Sequence, residues 1–202
     1  GRYPVGINRD TANAWIWPAL LRNYIGMGDN VELFKCPSAP LEAQWKVEFG
    51  SGLPASDGYL ANEMRLRPGG SSFMSYGYNV WGGWAGQVPN TGLGVYKGDP
   101  VYGGAKEATV RAPTDMIDIG DSNWDLEKKG DRDWSGFIGM YAERQWPLEI
   151  HNNRANILFA DGHVQALPRT EMIAQLVEGH AEKERVARRW NRDHEPHVTS
   201  SE

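Results

Sequence analysis

Hydrophobic and polar positions alternate most clearly near the C-terminal end of the chain, where Ala155-Asn-Ile-Leu-Phe-Ala160 and His163-Val-Gln-Ala-Leu167 flank Asp161-Gly162. A two-residue Asp-Gly loop supplies the positive φ angles of a type I′ turn and predicts a β-hairpin. The register that follows sets Ala160 opposite His163, Phe159 opposite Val164, Leu158 opposite Gln165 and Ile157 opposite Ala166. Ile157, Phe159, Val164 and Ala166 then share the core face, and Leu158, Ala160, His163 and Gln165 the other, because side chains alternate along a strand. Replacing Gly162 by Val forces a β-branched residue to positive φ and is expected to destabilise the turn. Met116-Ile-Asp-Ile119 alternates too and predicts a third strand over about 115–120. Three strands with a helix across them are the smallest such sheet with independent stability. Ser75-Tyr-Gly-Tyr-Asn-Val-Trp81 reads as a further extended segment.

Helical spacing marks two other stretches. Trp15 to Gly26 predicts a helix over 17–25, with Pro18 tolerated in its first turn and Gly26 at its end. Trp15 and Trp17 either pack there or form an aromatic ligand platform. Thr170 caps a predicted final helix through Trp190, with Met172, Ile173, Leu176, Val177, His180, Ala187 and Trp190 at helical spacing. Lys183, Arg185, Arg188, Arg189 and Arg192 gather toward its C-terminal end, where the helix dipole favours cations; an anionic partner is the other reading. Residues 39–70 lack periodicity and read as loop with a short helix near 59–65, and 82–104 is a glycine-rich connection.

Composition turns this pattern into a class. Gly 24, Pro 12 and Trp 9 among 202 residues point to many turns anchored by aromatics, and so to a loop-rich α+β domain over 1–193 with a flexible tail at 194–202. The net charge of −5 argues against nucleic acid as a partner. Cys36 is the single cysteine, which excludes an intrachain disulfide. In Cys36-Pro37-Ser38 it reads as a buried structural residue; a reactive thiol requires a basic neighbour that the sequence does not identify. No run approaches the length of a membrane-spanning helix.

Three groups of residues carry candidate chemistry. Asp121, Asn123 and Asp125 stand at the first three ligand spacings of a calcium loop, with Asp131 and Asp133 following, so calcium is the candidate cofactor. Leu126 and Arg132 occupy the positions where an EF-hand needs Gly and Glu, so the loop is not an EF-hand. His151, Asp161 and His163 are zinc-ligating types sufficient for a metal-binding module or a metal-dependent hydrolase with one open position. On the structural alternative, His151 hydrogen-bonds the backbone or the Asp161 carboxylate and ties the start of the hairpin to its tip. Trp81, Trp84, Tyr96 and Tyr102 lie in or beside the glycine-rich connection, where they either stack on sugar rings or a partner chain, or pin the loop.

Nine residues separate His151 from Asp161-Gly162, and Asn152, Ala155, Asn156, Leu158 and Phe159 lie between. This segment resembles the C-terminal signature of bacterial pseudopilin-like proteins, the prepilin-type processing-associated family. The resemblance extends to Leu33, Phe34, Cys36, Pro37 and Ser38, to Ser75-Tyr-Gly-Tyr-Asn79, and to the strand between Pro113 and Asp121. It implies a pilin-like head: a small antiparallel sheet that joins the strands at about 115–120, 155–160 and 163–167 and ends in the hairpin, helices packed on it, and long glycine- and aromatic-rich loops. His151, Asp161 and Gly162 would be motif residues of structural use. It also implies a non-enzymatic subunit of a type IV pilin or type II secretion-like assembly of the cell envelope, with other pilin-like subunits as partners. Membrane contact would come only through an N-terminal helix upstream of residue 1. Some relatives are expected to carry a partner cysteine, which this chain lacks.

Overall fold

Ala155, Ile157 and Phe159 are buried while Asn156 and Leu158 are half-buried, the alternation of a strand with one face on a core. The computed structural model describes residues 1–4, 6–8, 15–18, 21, 25, 32–40, 75–83, 91–94, 104–122, 136–140 and 143–197. Short strands β1 (Ile7–Asn8) and β2 (Trp15–Ile16) pair as a ribbon. The main sheet is antiparallel, in the order β3 (Tyr76–Tyr78), β4 (Ile117–Asp121), β5 (Ala155–Phe159), β6 (Val164–Leu167). Helical segments accompany it, which makes the architecture α+β. Positions 17, 18, 21 and 25 are helical, within the helix expected over 17–25. Among the described residues no helix is long and apolar enough to cross a membrane.

The β5–β6 pairing differs from the expected register by one residue. Ala155 faces Leu167, Asn156 faces Ala166, Ile157 faces Gln165 and Leu158 faces Val164. The Gly162 amide donates to the Phe159 carbonyl, the Phe159 amide donates to the His163 carbonyl, and Gly162 has φ 94°. The connection is therefore three residues, a turn over Ala160-Asp161 closed by a left-handed glycine, instead of a two-residue type I′ loop. The extra residue inverts β6: Val164, expected in the core, is 64% exposed, and Leu167 is buried instead.

A type I′ geometry does occur one strand-length earlier. Asn152 and Asn153 both have positive φ, 52° and 59°, and the His151 and Arg154 amides and carbonyls exchange hydrogen bonds of 3.0 and 3.1 Å. Asn tolerates the left-handed region better than other non-glycine residues, which is why this pair can fold back there.

Two cores lie against the sheet. One joins Ile117, Ala155, Ile157, Phe159 and Leu167 to Met172, Ile173, Val186, Ala187 and Trp190. The other gathers Trp17, Phe34, Tyr78, Val80, Leu93, Met116 and Phe137. A bulge in β4 serves both, because Ile117 pairs with Phe159 whereas Ile119 pairs with Leu158, leaving Asp118 as the extra residue. Ile117 consequently enters the first core and Ile119 packs on the second.

The helix expected over 170–190 is broken into two 3-10 turns, Arg169–Glu171 and Ala174–Leu176, and an α-helix, His180–Arg188. Met172, Ile173 and Ala174 are buried in succession; a continuous helix would rotate one of them toward solvent, and the irregular chain buries all three. Gly179, at φ 83°, then redirects the backbone into the helix. The arginines of this region are engaged internally. Arg189 meets Asp115 at 2.9 Å, Arg185 meets Glu171 at 3.0 Å, Arg188 meets Glu195 at 3.3 Å, and Arg192 donates to the Gly92 carbonyl.

Candidate functional site

Three chain segments converge at the end of the sheet near the Asn152-Asn153 turn. Cys36 follows the 3-10 turn Glu32–Phe34, and Pro37 sits at the second position of a turn closed by the Ala39 amide on the Cys36 carbonyl. Cys36 is 1% exposed and lies among Ala39, Tyr76 and Ile150. Asp121 ends β4 opposite Tyr76, with its backbone carbonyl accepting from the Leu148 amide and one carboxylate oxygen, Oδ2, accepting from the Asn156 amide at 2.6 Å. His151, held by the asparagine turn, places Nε2 3.4 Å from Cys36 Sγ and 3.5 Å from Asp121 Oδ2.

The electrostatics follow from burial. Desolvation raises the Asp121 carboxyl above its ordinary range, against the opposing pull of the Asn156 amide and of His151. Tyr76 is pushed up to about 12, first by burial and then by the neighbouring Cys36 and Asp121. Asp121 Oδ1 is buried and has no hydrogen-bond partner among the described residues. A buried carboxylate oxygen without a donor costs on the order of 1–3 kcal/mol; among the described residues only Ser122 Oγ and Arg189 Nε are likewise buried without a hydrogen bond.

The three groups do not form a nucleophilic triad. In a triad the base touches the nucleophile with one ring nitrogen and its orienting carboxylate with the other; here the thiol and the carboxylate both approach Nε2. Cys36 is also closed to a substrate. Sγ, Nε2 and a carboxylate oxygen all within 4.8 Å of one another are instead suited to a shared cation.

Of the residues singled out by sequence, the structure brings together Cys36, Asp121 and His151. His151 does not bond Asp161 as expected, because the five residues of β5, roughly 16 Å of extended chain, lie between them. Asp161 and His163 pair with each other at 2.6 Å in an exposed turn, and the His163 ring stacks on Phe159. The set His151, Asp161 and His163 is therefore not one site. Thiol and imidazole neighbours make the surroundings of Asp121 unlike an all-oxygen calcium site; Asn123, Asp125, Asp131 and Asp133 lie outside the described residues. Trp81 is half-buried and packs edge-on against Phe137 at 5.0 Å, while Trp84, Tyr96 and Tyr102 also lie outside them. Trp17 is a core residue, donating from Nε1 to the Gly136 carbonyl at 2.8 Å.

A second feature, an open groove of about 470 Å³, runs along the sheet face that carries Tyr76, Ile119 and Leu158, between the helical positions and β6. Its lining is apolar, with Trp17, Leu21, Ile25, Leu33, Phe34, Ile119, Leu158 and Val164, beside Tyr76, Gly120 and Asn156. Sequence reasoning missed it because the expected register placed Val164 in the core. No protein-family model, curated protein or solved structure matches the chain.

Proposed function

We propose that the chain is the head of a pilin-like subunit in a bacterial cell-envelope assembly, acting through contact with other subunits and not through catalysis. The observation that carries this reading is the apolar groove. Ile25, Leu33 and Val164 around it are 43%, 58% and 64% exposed, and a contiguous apolar surface of this kind on a folded domain marks a contact site. The segments that resemble pseudopilins support the same reading. Phe34 and Tyr78 share a core, Cys36 meets His151, and Asp121 pairs with Tyr76, so motif residues scattered in sequence are neighbours in space.

Val164 is the point at which to test it. A photo-crosslinking residue at 164, carried by the full-length protein in its own cells, should yield an envelope-associated adduct with a pilin-like subunit. Adducts confined to cytoplasmic proteins, or no adduct at all, would overturn the proposal.

A further inference from the structure

We infer that Cys36, Asp121 and His151 bind one zinc-class divalent cation, which fastens the segment around Cys36 to the end of the sheet. A tetrahedral zinc ion with usual bond lengths sets sulfur and nitrogen about 3.6 Å apart, and nitrogen and carboxylate oxygen about 3.4 Å apart. The separations here are 3.4 Å between Cys36 Sγ and His151 Nε2 and 3.5 Å between Nε2 and Asp121 Oδ2. An independent observation is the buried, unpartnered Oδ1 of Asp121, for which a cation on the carboxylate supplies a local positive charge. Thiolate and imidazole select a borderline-soft transition ion over calcium or magnesium.

The surroundings already orient the donors. The Asn156 amide holds the carboxylate, and the asparagine turn fixes the backbone of His151. Such outer contacts raise the selectivity of a metal site. Binding requires Cys36 to lose its thiol proton to solvent, so uptake releases a proton and weakens at acid pH. Three protein ligands leave one coordination position for water. Cys36 and His151 are 115 positions apart, so the ion would close a long stretch of chain and raise the stability of the folded state. This inference does not rest on the assembly role.

The test uses the whole chain, stripped with chelator and titrated with zinc and, separately, with cobalt(II). One equivalent of either ion should bind, cobalt should develop a thiolate charge-transfer absorption, and zinc should raise Tm. Cys36→Ser and His151→Gln should each weaken binding about a hundredfold or more, while Asp161→Asn and His163→Gln should leave it unchanged. Absence of the charge-transfer band in the unsubstituted protein overturns the inference without recourse to any variant. Zinc uptake that survives Cys36→Ser, or is lost only in His163→Gln, does the same.

Discussion

The two ends of β5 each carry a histidine beside an aspartate, and the pairs behave in opposite ways. At the exposed end His163 and Asp161 are 2.6 Å apart, and hydrogen bonds from the His163 backbone and ring lower the Asp161 carboxyl. At the buried end His151 and Asp121 are 3.5 Å apart, and burial raises the Asp121 carboxyl despite the histidine. The shorter contact lies in solvent, where ion pairs are screened and contribute little. The longer one lies where an unmet charge is costly and a third ligand type, a thiol, is at hand. Proximity of the right residue types therefore says less than the medium between them.

The largest effect expected from this contrast is the loss of the buried acceptor. Asp121→Ala removes the partner of the Asn156 amide and leaves a void, and should cost about 3 kcal/mol in urea unfolding. The equivalent Asp161→Ala change should alter the same curve only slightly; equal losses at the two ends would remove the distinction.

Asp118, the bulge residue of β4, sharpens the role of the medium. Burial pushes its carboxyl up to about 7 from an ordinary 3.8. A raised folded-state value means that the unfolded chain gives up the proton first, so stability is complete below about pH 4, falls as pH rises toward 7, and is level beyond. Asp118→Asn should flatten that slope and gain about 2 kcal/mol at pH 8, with no gain at pH 4. A wild-type stability that instead rises between pH 4 and 7 would contradict the desolvation of Asp118.

The smallest effect belongs to the turn itself. A Cβ at Gly162 would meet nothing within 4 Å, so only its φ of 94° opposes a side chain. Gly162→Val should cost about 1–2 kcal/mol in thermal unfolding. An unchanged Tm would show that the turn adopts another conformation.

β5 is legible because its alternation is local: Ile157 and Phe159 are buried as expected, and Ala155 with them. β6 was not, because Ala-Asp-Gly accommodates both a two-residue loop and a three-residue one, and the choice inverts every side chain that follows. The Asn152-Asn153 turn escaped notice since no clear alternation precedes it. Three strands of the sheet follow from periodicity and turn chemistry and the α+β class from composition, whereas the fracture of the C-terminal helix follows from tertiary burial of Met172, Ile173 and Ala174. For the site, no short-range pattern connects residues 36, 121 and 151. All three lie in the segments of the family resemblance, which singles them out one by one and carries no sign that they meet.

Tyr76 and Asn156 line the groove and also touch the Cys36–Asp121–His151 cluster, the first through Cys36 and the second through its amide. Asp121 is paired with Tyr76, so the cluster stands on the same face of the sheet as the groove, at its end. An occupant of the groove that displaced either residue would alter the affinity of the cluster for the cation inferred above. By thermodynamic reciprocity the bound cation would alter the affinity of that occupant by the same factor, which would make the groove responsive to the state of its neighbour.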